Sequence, residues 1–235
     1  MAKSLLNRDI DLIVNCKSKG VTSLPVIGNI WFQHPSDPTA DVAVIPFAMN
    51  PDLETVSVST RHFIDASVLS TEQIGIGDEV FIVGLFAHAA GKTRNMPLVR
   101  HGNIAMIPTE QVQIESGYAD VYLIEARSIG GLSGSPVFVR KTVSIKGKDN
   151  LGRDISFSGP ASDFRLLGLM HGHWDINEFD INNPRWTHSQ RGVNLGIGVV
   201  VPACKILETL NCPALVAARQ RNEDAIRSSI TPTQD

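Results

Sequence analysis

The chain has 235 residues, 43% of them hydrophobic and 19% charged, a composition that supports a packed core and excludes intrinsic disorder. Its 21 Lys+Arg face 24 Asp+Glu for a formal charge of −3, so no basic excess steers it to phosphate backbones and nucleic acid is not expected as a partner. No apolar run of about 18 residues is present, which argues against a membrane-spanning helix. Cys16, Cys204 and Cys212 are odd in number and scattered, so free thiols are expected rather than a disulfide framework or a zinc cage. Residues 1–8 lack a basic start followed by an apolar stretch, and a cytoplasmic location is the expectation.

Taken in chain order, the pattern reads mostly as strands. Residues 10–14 (IDLIV), 26–32 (VIGNIWF) and 42–47 (VAVIPF) are short β-branched or aromatic runs divided by Gly, Pro, Ser and Asp. Residues 80–86 (VFIVGLF) are almost continuously apolar, as expected of a strand buried on both faces. Further strands are predicted at 98–107, 121–126, 137–139, 166–170 and 195–201. Many short strands with turn signals between them suggest a sandwich or a pair of barrels. Helix is predicted at 202–210 (PACKILETL), with Ile206, Leu207 and Leu210 on one face and Pro202 in the first turn. Pro213 interrupts it, and a second helical stretch is predicted over 214–224. Residues 87–96, 141–164 and 174–192 read as loops.

One motif between strand-like segments can carry chemistry. In Gly130-Gly131-Leu132-Ser133-Gly134-Ser135-Pro136, small residues around Ser133 let the backbone turn tightly and present a hydroxyl. The amides of Gly131 and Ser133 can then point at a common spot, as an oxyanion hole requires. The bland reading is a Gly/Ser hairpin turn, so a second feature must decide. Asp41-Val42-Ala43-Val44 places an acid directly before a buried run, where a desolvated carboxylate needs partners. Asp41 and Ser133 are 92 positions apart, against roughly 93 between acid and nucleophile in the chymotrypsin-type template.

With these residues the chain resembles the trypsin-like serine peptidase family, in particular its bacterial branch with G-x-S-G-S-P at the nucleophile. The resemblance spans nearly the whole sequence. Ile76-Gly77-Asp78-Glu79-Val80 before an apolar strand is similar to the opening of the family's second barrel, and residues 94–103 (RNMPLVRHGN) to a hairpin near its start. Residues 195–202 (LGIGVVVP) are similar to its last strand, leading into a C-terminal helix. The resemblance implies an all-β fold of two Greek-key β-barrels, the first incomplete, with a C-terminal α-helix. Residues 1–70 would be the remainder of the first barrel carrying the acid, 71–201 the second barrel carrying the nucleophile, and 202–235 the helix and tail. It implies a serine endopeptidase with Ser133 as nucleophile, Asp41 as triad acid, Gly131 and Ser133 as oxyanion-hole donors, a polypeptide substrate and no cofactor.

The pattern fails at the general base. The template puts a His about 45 positions before the acid, which falls just ahead of Met1, and the only His before Asp41 is His34. Residues 1–40 also fit about three strands rather than a full set before the acid. The expectation is a chain that begins inside the first barrel, without its catalytic His and without practical turnover. His34, on the loop leading to Asp41, and His62, in Ser59-Thr60-Arg61-His62 after it, are not expected to substitute.

His171 and His173, in Leu169-Met170-His171-Gly172-His173-Trp174, fall where the resemblance puts the substrate-pocket strand. They read equally well as polar side chains at a strand end. Imidazoles two apart on a strand share a face, yet no further His/Cys cluster supports a metal beside Asp175. Arg100 and His101 read as solvated strand-end residues. Two further classes compete with the enzyme: a trypsin-like scaffold that binds peptides or partners without cutting, suggested by the absent His, and a purely structural β domain.

Overall fold

A computed structural model of the chain describes residues 8–26, 31–47, 50–85, 91, 93–114, 117–126, 131–148, 151–176 and 193–230, with backbone alone at some strand positions. Residues 128 and 130 of the Ser133 motif, most of 86–92 and the stretch 177–192 lie outside these.

The chain opens with a hairpin of β1 (Ile10–Cys16) and β2 (Gly20–Val26), followed by a short pair, β3 (Phe32–Gln33) and β4 (Ala43–Val44). These are two separate two-stranded sheets, so the predicted strand at 42–47 shrinks to two residues. A helix that periodicity misses, α1 (Ala66–Glu72), follows. Asp65 caps it, accepting from the Val68 amide at 2.9 Å and the Ser67 hydroxyl at 2.7 Å, which satisfies amides that have no partner within the helix.

The central element is a closed six-stranded antiparallel barrel. Its strands are β5 (Glu79–Leu85), β6 (Pro97–Met106), β9 (Tyr122–Glu125), β10 (Pro136–Lys148), β11 (Asp154–Ile176) and β12 (Val193–Pro202). A small hairpin, β7 (Val112–Ile114) with β8 (Gly117–Ala119), lies between β6 and β9 in sequence. Around the barrel the order is β5-β6-β9-β12-β11-β10, closing from β10 back to β5 through Val137 opposite Ile82 and Val139 opposite Val80. The molecule is therefore mostly β with a C-terminal helical segment.

The barrel closes because each strand turns β-branched or aliphatic side chains inward. Val80, Ile82, Ile104, Ile124, Val137, Val139, Leu167, Met170 and Val200 are at most 2% exposed and form one cluster. Each such side chain contributes about 1.5–3 kcal/mol by leaving water. Gly168 has a packing reason: a Cβ there would overlap the Val201 carbonyl oxygen of the neighbouring strand.

The expectation of a loop over 141–164 is corrected. β10 and β11 continue beyond the barrel as an antiparallel hairpin whose register runs from Thr142 opposite Pro160 to Lys148 opposite Asp154. A hairpin held by its own cross-strand hydrogen bonds does not need the apolar alternation of a core strand, so the polar sequence concealed it.

After β12 the chain enters α2 (Ala203–Leu210) and α3 (Pro213–Ile230). Pro202 is the last residue of β12 and precedes the first turn of α2. Ala203 and Ile206 pack with Val42, Phe63, Leu166 and Val201 in a second cluster, so α2 clamps residues 42 and 63 onto the outside of β11. Neither helix is long and apolar enough to cross a membrane, nor is any other among the described residues. All three cysteines are unpaired.

Candidate active site

The loop before Asp41 is fixed from α2. His34 is almost fully buried; its Nδ1 accepts from the Asp37 amide at 2.9 Å and its Nε2 lies 2.8 Å from Glu208 Oε2. A ring nitrogen that accepts an N–H carries no proton, so Nε2 is the donor to Glu208. Asp37 in turn accepts from the Thr39 amide and hydroxyl and forms an ion pair with Lys205 Nζ at 2.9 Å. Burial alone would push the Asp37 carboxyl up, but the hydrogen bonds from Thr39 and Lys205 outweigh it and hold the group well below the usual carboxylate range. Lys205 also reaches Asp120 at 3.4 Å. Both ring nitrogens of His34 are thereby committed to the loop and to α2.

Val42, next in the chain, is 2% exposed in the α2 seam. Between the clamped loop and this anchor, Asp41 is carried against β11. Its carboxylate is only 8% exposed, and Oδ2 lies 3.0 Å from Nδ1 of His171, itself 19% exposed. A carboxylate only accepts, so Nδ1 donates in this contact. Sequence reasoning placed His171 in a substrate pocket and looked for the partner of Asp41 upstream. The structure joins the two across 130 positions. The one available signal was a buried-run Asp and an unexplained strand-end His, and nothing in spacing pairs them.

Ser133 sits on the turn that enters β10. Gly131 and Gly134 hold φ of +101° and +85°, a region that glycine adopts without steric cost. The turn is bonded to the same strand that bears His171: the Gly134 amide donates to the Met170 carbonyl at 2.7 Å, and the Met170 amide to Ser135 at 2.9 Å. Leu132 is 2% exposed and pins the turn from below. On the barrel side, a Cβ at Gly84 would overlap Ser135 Oγ and come within 2.8 Å of Leu132 Cδ2, so the bare glycine of β5 lets the turn lie flat. Within the turn, the amides of Gly134 and Ser135 are committed to backbone acceptors, Ser135 donating to Leu132 at 3.0 Å. Gly131 is exposed and Ser133 half-buried.

His173 lies two residues beyond His171 on β11, half-buried and opposite Gly198. The β11 register shifts between Met170 and Gly172 and again between His173 and Asp175; such irregularities re-aim side chains at a sheet's rim. His62 belongs elsewhere, stacked on Phe164 at 5.7 Å beside Arg165 and Asp163. His101 lies beside Glu79 at 3.3 Å and edge-on to Phe81. Among the described residues no group of three or more His, Cys, Asp or Glu could hold a metal ion. Burial and the nearby Glu208 push the Cys204 thiol up, which leaves it protonated and a poor nucleophile. No family model matches the chain, and no curated protein matches it in sequence.

Proposed function

We propose that this chain is a serine endopeptidase of trypsin-like type that cleaves polypeptides through an acyl-enzyme. The observation that supports the reading is that Asp41 and the turn bearing Ser133, 92 positions apart in sequence, are both bonded to adjoining residues of β11. Asp41 is hydrogen-bonded to His171, and the Ser133 turn is hydrogen-bonded to the adjoining Met170. The fold supports it too. β5, β6 and β9 are consecutive around the barrel, and the next barrel strand, β10, returns beside β5, the 4-1-2-3 order of a Greek key. On this reading the segments up to about residue 70 are what the chain holds of a first barrel.

The chemistry follows from the groups present. Ser133 Oγ adds to the scissile carbonyl carbon as its proton passes to an imidazole nitrogen. The carbonyl oxygen becomes an oxyanion, held by the Gly131 and Ser133 amides. Collapse expels the amine, which takes the proton, and water then releases the acid and restores Ser133. Asp41 accepts from the imidazole and steadies its charged form. No cofactor enters any step.

The test is a peptide-library digest together with fluorophosphonate labelling, read by mass spectrometry of the peptide containing Ser133. Cleavage and labelling that both vanish in Ser133→Ala are expected. A folded chain that neither cleaves peptides nor is labelled at Ser133 would overturn the reading in favour of a non-catalytic peptide-binding scaffold.

A further inference from the structure

We infer that His34 is a proton-operated latch on the loop that carries Asp41: a proton at its Nδ1 and the closed loop compete for one lone pair. The side chain of His34 is 1% exposed. Its Nδ1 accepts from the Asp37 amide at 2.9 Å and from the Ser36 amide at 3.4 Å, while Nε2 donates to Glu208 Oε2 at 2.8 Å. The closed loop therefore needs a neutral ring with its proton on Nε2. An imidazolium bears a proton on both nitrogens, and the second would be aimed at the two backbone N–H groups that point at Nδ1. The loop then gives way, and with it the stretch that brings Asp41 to His171 at 3.0 Å and Val42 into the α2 seam.

The charged groups around the ring do not cancel the effect. Glu208 on α2 favours a charged ring, but its side chain is 50% exposed and water screens the attraction. Lys205, one turn back on α2, opposes it. Burial works against the Lys205 charge, yet Asp37, Glu208 and Asp120 outweigh burial and push its amine up, so it stays a cation. Asp37 is held well below the usual carboxylate range and matched by Lys205, so it does not change state where an imidazole does. Burial and Glu208 push the Cys204 thiol up and leave it neutral. At the far end of the loop a proton on His171 acts in the opposite sense, giving Asp41 a cation to hold. The Asp37 amide, bonded to His34 itself, reports the latch and not that pair. The latch stands apart from the peptidase reading and needs no turnover at Ser133.

Amide hydrogen exchange of Asp37 in the full chain tests this, corrected for the intrinsic rate and referred to Ile104, whose amide donates to the Asp78 carbonyl at 2.9 Å. An opened loop takes up protons at the ordinary imidazole value of about 6.5. Between roughly pH 7.5 and pH 5.5 the open fraction should therefore rise about ten-fold, and Asp37 protection should fall by that factor with Ile104 unchanged. His34→Asn keeps an acceptor for the Asp37 amide and has no proton to take up, so its protection should vary by less than about two-fold. Glu208→Gln keeps a partner for Nε2 and should show the wild-type fall. Unchanged Asp37 protection in wild type would overturn the latch. An equal fall in His34→Asn would overturn it too, by placing the titrating group elsewhere, and so would loss of the fall in Glu208→Gln, by assigning it to Glu208. Should His34→Asn fail to fold, the nitrogen chemical shift of His34 Nδ1 in wild type at the acid end decides. An unprotonated Nδ1 wherever Asp37 remains protected supports the latch, and a protonated Nδ1 beside a protected Asp37 amide overturns it.

Discussion

His34 and Glu208, 174 positions apart, meet at 2.8 Å between Nε2 and Oε2. The contact ties the loop that carries the site's acid to the C-terminal helix, and the Asp37–Lys205 pair repeats the tie three residues along each segment. Asp41 therefore owes its position to α2 as much as to the strands beside it.

Replacing His34 should loosen that loop. His34→Ala removes a buried acceptor from the Asp37 amide and a donor from Glu208, and a loss of about 2–3 kcal/mol in urea unfolding is expected. Glu208→Gln keeps an acceptor on a side chain that is half exposed, and its cost should stay below about 1 kcal/mol. Equal losses for the two variants would show that the histidine contributes only through its contact with Glu208.

Asp37 gives the fold an acid limb. Its carboxyl lies below its ordinary value in the folded state, because hydrogen bonds from Thr39 and Lys205 outweigh burial. A depressed carboxyl adds stability above the unfolded value, near pH 4, and loses it as pH falls further and the carboxylate protonates. Stability measured by denaturant titration should fall more steeply below pH 4 in wild type than in Asp37→Asn, with the two curves converging at the acid end. Parallel curves would mean that Asp37 contributes no linkage.

Much of the barrel could be read from sequence, and the reasons are local. β5 turns Val80 and Ile82 into the core, but Phe81 and Val83 on its other face are half-buried and Leu85 is exposed, so the expected burial on both faces holds for one face only. Helix 203–210 showed its stripe because Ala203 and Ile206 sit in the α2 seam. Helix 66–72 was hidden because a seven-residue helix offers too few turns for periodicity, and its signal is the Asp65 cap. The outer hairpin of β10 and β11 was hidden because main-chain bonds need no particular side chains. For the candidate site, motif and spacing single out Ser133 and Asp41, and His171 is singled out as a strand-end residue. The bond between His171 and Asp41 was not legible, because it arises from strand order around the barrel and from the loop clamp at His34, neither of which leaves a spacing rule.

Gly84 should matter to Ser133 without touching substrate. A methyl group there meets Ser135 Oγ and Leu132 Cδ2, so Gly84→Ala must push the 131–135 turn off β5. The expected cost is about 1–3 kcal/mol in stability, together with a fall in Ser133 labelling larger than that loss explains at a temperature where both proteins are fully folded. Wild-type labelling in Gly84→Ala would show that the turn tolerates displacement and that its fit to β5 does not set the nucleophile.

The sharpest test of the acid is Asp41→Asn. The amide matches the carboxylate in shape, so Val42 keeps its place in the α2 seam and the thermal transition should change little. Chemically the two differ. An ionised Asp41 accepts from His171 Nδ1 and forces the proton there, whereas the Asn amide can donate its own N–H to Nδ1 and move the ring proton to Nε2. On the serine-protease precedent, replacing the acid by its amide costs about 10⁴-fold in turnover with the geometry intact. Labelling and peptide cleavage by Asp41→Asn should fall by that order. Asp41→Leu, by contrast, leaves His171 without any partner and should lower activity and stability together. If Asp41→Asn kept wild-type rates, the 3.0 Å contact between Asp41 and His171 would be a structural bond and no part of a relay.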